Sequence, residues 1–174
     1  MPTALTLALD EAGRDRIEAL WEVLDGLGIG DPRRRLDHPP HLTLAVVAEE
    51  VEEADLALPD LALPDLALSV PRSLRLTHLG LFTTPSQVLF LAPLVTPELL
   101  EAQARAVAAL DGHTLLDHWR PGTWVPHVTL AHLVSGGSGL PSFGPIHLPF
   151  EVGIAAVELV AFPPARVVAR RALA

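Results

Sequence analysis

The chain has 174 residues and a formal net charge of −9, and it contains no cysteine, lysine or tyrosine. Disulfides, thiolate metal sites, thiol nucleophiles, Schiff-base lysines and catalytic phenols are thereby excluded. The negative balance disfavours tight, sequence-independent binding to long nucleic acid, although a locally basic cleft can still accept a short phosphorylated substrate.

Residues 3–9 read as a strand, and Asp10 caps a helix expected over 11–27. Ile17, Leu20, Trp21 and Leu24 form its apolar face, and glycines at 26, 28 and 30 end it. A polar loop over 31–40 carries Arg33-Arg34-Arg35, and 41–47 is the next strand. Leu-Ala-Leu-Pro-Asp then occurs twice, at 56–60 and 61–65, before Leu66-Ala67-Leu68-Ser69. So short a tandem repeat is no solenoid; it reads as a surface connection whose last copy becomes a strand. Strands are expected over 73–81 and 87–94, and Pro97 opens a helix to residue 110. A loop over 112–125 carries Trp119, Arg120 and Trp124, and a strand follows over 127–134. A Gly/Ser loop over 135–139 leads to three further strands, at 146–152, 155–162 and 166–172. Many strands and few helices indicate an α+β domain. No apolar run approaches the roughly 20 residues of a membrane span, and Met1-Pro2-Thr3 opens without a basic leader. A cytoplasmic protein without membrane contact is expected.

One internal match stands out. Pro40-His41-Leu42-Thr43-Leu44-Ala45 aligns with Pro126-His127-Val128-Thr129-Leu130-Ala131, with a Leu/Val exchange as the sole difference. Residues i and i+2 of a strand share a face, so His41 with Thr43, and His127 with Thr129, point one way while the intervening apolar residues point to a core. Side by side, the two strands bring two imidazoles and two hydroxyls to one cleft. A phosphodiester or cyclic phosphate needs a base on the incoming oxygen and an acid on the leaving one, and two histidines supply both near neutral pH. Threonine hydroxyls can donate to the non-bridging oxygens. Neither a metal nor another cofactor is required. Metal binding is the rival reading, because His38 lies near His41 and His132 near His127. However, the odd offset from 127 to 132 places those two on opposite faces of a regular strand, and no zinc-ligand spacing is present.

These motifs resemble those of the 2H phosphoesterase superfamily, and most closely its bacterial and archaeal 2′–5′ RNA ligase-like branch. Leu74 to Phe82 and Gln87 to Leu91 look like that branch's middle strand pair, and the helix from Glu98 like its second-lobe helix. The branch carries a helix after the first motif, where this chain has its repeat, and often an arginine after the second, where this chain has His132. The resemblance implies a bilobal α+β fold, residues 1–174 forming one domain of two intertwined, pseudo-symmetric antiparallel-sheet lobes with flanking helices around a central cleft. It implies metal-independent cleavage of 2′,3′-cyclic phosphates or 2′–5′ phosphodiester bonds of RNA ends or nucleotides, with 2′–5′ ligation as the reverse-sense reaction. By carry-over His41 and His127 are the acid–base pair, and Thr43 and Thr129 bind the phosphate. The partner is then a cyclic nucleotide or short RNA end, with no stable protein partner. A non-catalytic nucleotide or RNA-end-binding module on the same fold is the alternative.

Weaker candidates surround the quartet. Arg34 and its neighbours can guide a phosphate or can form a solvated turn. Phe82, Trp119 and Trp124 can stack on a base, although Trp124 can equally pack under the strand start. Arg120 stands between the two tryptophans as a possible substrate contact. His38, His78, His113, His118, His132 and His147 have no matching pattern and read as surface or hydrogen-bonded histidines.

Overall fold

Strand β1 (Thr3–Leu9) is buried at every position, as befits a strand paired on both edges and covered on both faces. It belongs to a computed structural model that describes residues 1–29, 38–55, 63–83, 87–133 and 146–173. Helix α1 (Glu11–Gly26) follows β1, with the Asp10 carboxylate accepting from the Gly13 N–H at 2.7 Å. This is the N-cap that the sequence predicts. Strand β2 (His41–Val47), helix α2 (Leu63–Ser69), strands β3 (Ser73–Phe82) and β4 (Val88–Pro93), and helix α3 (Pro97–Ala109) come next. Thr96 caps α3 and Pro97 stands in its first turn. Strands β5 (Val128–His132), β6 (Phe150–Ala161) and β7 (Arg166–Ala172) complete the order.

All strand pairings are antiparallel, in the order β1-β2-β5-β4-β3-β6-β7 with a further pairing of β1 to β6. The sheet thus closes into a ring of six strands, with β7 attached to β6. Two four-stranded halves can be traced, β7-β6-β1-β2 and β6-β3-β4-β5. They share β6 on one side and meet on the other through a single pair, Leu42 with Val128. Each half therefore ends on one of the strands that carry a His-x-Thr motif. Helix α1 packs on β6 and β5, and α3 packs on β2 and α2. The core they close over includes Leu5, Leu7, Ile17, Leu42, Leu44, Leu91, Val128 and Leu159.

Two expectations are corrected. From Leu63 onward the last copy of the repeat runs into helix α2, not a strand. Leu63, Leu66 and Ala67 are buried while Leu68 is exposed, so the spacing that buries this segment is helical. The two expected strands at 146–152 and 155–162 are one strand, β6. Gly153 reads as a break in the sequence, but the strand runs through it and changes partners there, from β3 before it to β1 after it. A Cβ at Gly153 would overlap the Asp10 carboxylate, so this glycine serves the close approach of the α1 cap to β6. The first repeat copy, the arginine triplet and the Gly/Ser loop lie outside the described residues. Among the described residues, no helix is long and apolar enough to cross a membrane.

Candidate active site

The two motifs fold alike in four respects. First, each begins with a buried proline, Pro40 or Pro126, at a strand start where no ladder N–H is needed. Second, each histidine ring bonds backward to the carbonyl two residues earlier, His41 Nδ1 to Pro39 O at 2.9 Å and His127 Nδ1 to Val125 O at 2.8 Å. A carbonyl only accepts, so Nδ1 carries the proton and Nε2 is the nitrogen left for a substrate. The proline between holds the preceding residue in extended backbone, which fixes the direction of that carbonyl. Third, an indole bonds to the backbone of each motif: Trp124 Nε1–H donates to Thr43 O at 3.0 Å, and Trp21 Nε1–H to Thr129 O at 3.1 Å.

The fourth likeness is a β-bulge. Against β1, Thr43 pairs with Thr6 but Ala45 pairs with Leu5, so Leu44 is the extra residue. Against β4, Thr129 pairs with Phe90 but Ala131 pairs with Leu89, so Leu130 is the extra residue. A bulge inverts the alternation beyond it. Val46 and His132 therefore come round to the face of the histidines, and both line the same cavity as they do. The expectation that His132 faces away from His127 is overturned by this bulge.

Leu42 and Val128, the middle residues of the motifs, form the one pair between β2 and β5 and are buried beneath them. Antiparallel register then sets His41 across from Thr129 and Thr43 across from His127. All four, half-buried, line a single cavity of about 360 Å³. Five of the eight histidines border it, His38, His41, His118, His127 and His132, whereas no arginine does among the described residues. Among the described lining residues, positive charge therefore comes from imidazole protonation alone. Burial, the largest influence, lowers the pKa of His41 from 6.5 to about 4, outweighing the Pro39 bond that favours its charged form. Burial also lowers His127, against the opposing bond to Val125.

The rings around the two imidazoles differ. His127 packs against Phe82 edge-on at 5.0 Å and against Phe90 at 5.3 Å, with Phe82 and Phe90 stacked at 4.4 Å. His41 packs against His38 at 4.8 Å. Phe82, Trp119 and Trp124 all line the cavity. Trp119 is carried there by a short 3-10 turn whose carbonyl accepts from Gln103 Nε2 of α3 at 2.8 Å. Arg120 is not among the lining residues; its guanidinium is held within its own loop by Asp117 at 2.9 Å and by Leu115 O. Arg34 lies outside the described residues. His38, His118 and His132, which the sequence presents as surface or merely hydrogen-bonded, border the cavity. Thr6 carries no mark in the sequence, yet it lines the cavity with a buried hydroxyl that has no hydrogen-bond partner among the described residues. Only an anticipated bulge would have placed His132, and no local sequence signal points to Thr6.

A closed antiparallel sheet with few helices, carrying paired His-x-Thr strands across one cavity, is an α+β fold of the 2H phosphoesterase kind. E. coli LigT in complex with 3′-AMP is similar over 99% of this chain and 99% of its own, with a TM-score of 0.63 at 22% identity. TT0787 of Thermus thermophilus is similar over 99% of this chain and 98% of its own, with a TM-score of 0.62 at 23% identity. A crystal structure of a phosphoesterase gives 0.61 at 20% identity, over 98% and 97% of the two chains. No curated protein matches the sequence. Residues 9–139 match the 2'-5' RNA ligase superfamily, and the chain belongs to that family.

Proposed function

We propose that the protein is a metal-independent phosphodiesterase acting on 2′,3′-cyclic phosphates or 2′–5′ phosphodiester bonds of nucleotides or RNA ends. The same groups run in the reverse sense would join such an end to a 5′-hydroxyl. The observation that carries this reading is the repetition of one local structure. Two hexapeptides, each with its backward imidazole bond, its bulge and its indole, lie side by side and line one cavity. Supporting it, E. coli LigT binds 3′-AMP, NADP+ and ATP, all nucleotides.

In this reading Thr43 and Thr129 donate to the non-bridging oxygens and the two Nε2 atoms flank the phosphorus. His41, held neutral by burial, takes the proton of the incoming oxygen. His127 gives its proton to the leaving oxygen, its imidazolium being favoured once the anion is bound beside it. The test is incubation with a panel of 2′,3′-cyclic mononucleotides and 2′–5′ dinucleotides in the presence of EDTA. Turnover supports the enzyme. Saturable binding without turnover would instead identify a nucleotide-binding module, and chelator-sensitive turnover would contradict metal independence.

A further inference from the structure

Glu158 is a carboxylate that the proposed reaction does not use. It stands on β6 with its side chain 3% exposed. A buried carboxylate is costly unless paired, and Glu158 has two partners, the Arg170 guanidinium on β7 and the His38 ring. Burial alone would raise its pKa, but His38 and Arg170 outweigh burial and lower it, so the group is ionised near neutral pH. His38 Nε2 lies 3.3 Å from Glu158 Oε2, an ion-pair distance without hydrogen-bond alignment, and the His38 side chain is itself 6% exposed. The other side of this contact is the site: the His38 ring packs on the His41 ring at 4.8 Å, tilted by 58°. Strand register points the same way. Arg170, Glu158, Thr6 and Thr43 are successive cross-strand partners on β7, β6, β1 and β2, so a polar row runs from the sheet edge to the first motif.

The counterpart at His127 is built differently, from Phe82 and Phe90. The motifs are near-copies, but among the described residues only His41 has an imidazole wall tied to a buried charge. We propose that Glu158 and His38 are positioning residues for His41: the carboxylate holds the His38 ring in place, and that ring closes one face of the His41 imidazole against water. The inference deepens the phosphodiesterase reading and rests on it for its consequence, which is that the two histidines begin the reaction in different states.

The groups facing His41 are His38 from the preceding loop, Glu158 from β6 and His127 just before β5, with His118 and His132 on the same cavity and Arg170 beyond Glu158. The experiment is an NMR titration of the histidine Cε1–H resonances, with kcat/KM against pH measured on the same variants. His38→Ala removes both the wall and the repulsion that His38 exerts on a protonated His41, and both losses favour protonation of His41. Its titration should rise by about one pH unit or more, tenfold in proton affinity, and the acidic limb of kcat/KM should rise with it. Glu158→Gln keeps the volume and drops the charge. Freeing the His38 ring raises His41, while losing a nearby negative charge lowers it; the ring touches His41 directly at 4.8 Å and the carboxylate lies beyond it, so the net movement should be upward. In a His38→Ala background only the charge effect is left, and Glu158→Gln should move His41 downward. A purely structural Glu158 would give no such reversal of sign.

An unmoved His41 in His38→Ala, or the same direction of movement for Glu158→Gln in both backgrounds, overturns the proposal. Should Glu158→Gln fail to fold, His38→Ala decides alone, because residue 38 lies outside the strands. The titration needs no turnover and so separates the two readings. If His41→Ala abolishes activity but His38→Ala leaves the titration in place, the phosphodiesterase stands and the positioning role falls. If His38→Ala moves the titration but His41→Ala leaves phosphodiester turnover intact, the contact is real and the proposed chemistry falls.

Discussion

At the scale of single residues, the quartet makes unequal demands on its members. In the proposed reaction one imidazole takes the proton and the other gives it, so His41→Ala and His127→Ala should each lower kcat/KM by about 10²-fold or more. Residues that act as a unit are strongly non-additive, so the double variant should be little worse than either single one. Thr43→Ala and Thr129→Ala each delete one hydrogen bond to a charged group, worth about 1.5–3 kcal/mol. Steady-state kinetics on a cyclic phosphate checks all five variants. A His127→Ala protein with near-normal kcat/KM would contradict the proposed roles. That the four side chains share one cavity was legible in the sequence, because the i, i+2 period needs only a strand to be right. His38 and Thr6 were not legible: their place depends on which strands close the ring beside β2, and no local pattern encodes that.

At the scale of elements, the fit of β3 against β4 decides how firmly His127 is held. Gly80 of β3 pairs with Phe90 of β4, and the Phe90 ring lies over the glycine where a Cβ would stand. That close approach lets Phe90 stack on Phe82 and lets both rings touch His127. Gly80→Ala should therefore push Phe90 aside, at a cost of about 1–3 kcal/mol of stability from overpacking. It should also lower kcat although residue 80 touches no substrate in the proposed reaction. Urea unfolding and kcat measured together check this; a variant of unchanged stability would show that Phe90 yields freely. Element types were mostly readable from period, caps and glycine or proline punctuation. The failures have specific causes. The repeat's last copy looks alternating because leucine and alanine alternate within it, yet what it buries is the Leu63, Leu66 and Ala67 face of a helix. The bulges at Leu44 and Leu130 leave no mark in composition, and a single extra residue suffices to bring His132 to the cavity.

At the scale of the whole molecule, β6 belongs to both halves of the sheet and β2 meets β5 over the site. We propose that the two halves form one domain, and that neither holds its edge without the other. One cooperative transition is then expected, with fluorescence of the tryptophans and far-ultraviolet dichroism changing together; two resolved transitions would show separable lobes. The site also ties that stability to pH. In the folded chain His41 titrates at about 4 and His127 below its ordinary 6.5, so each is neutral where the unfolded chain begins to bind protons. As pH falls through 6.5 the unfolded state takes up protons that the folded state refuses, and stability declines with it. The His41 contribution is complete above 6.5, is lost progressively down to about 4, and changes no further below that. Glu158, whose pKa is lowered, acts in an adjoining window: its contribution holds above the unfolded value of 4.5 and is lost as the carboxylate becomes protonated. Stability measured by urea unfolding should be nearly flat at and above neutral pH and should fall between pH 6.5 and 4. His41→Gln removes one titrating group and should make that fall shallower, with His127 keeping its share and the Glu158 loss below it unchanged. Equal slopes for the wild type and His41→Gln would mean that His41 is hydrated in the folded chain, and the buried imidazole on which its role as proton acceptor rests would have to be abandoned.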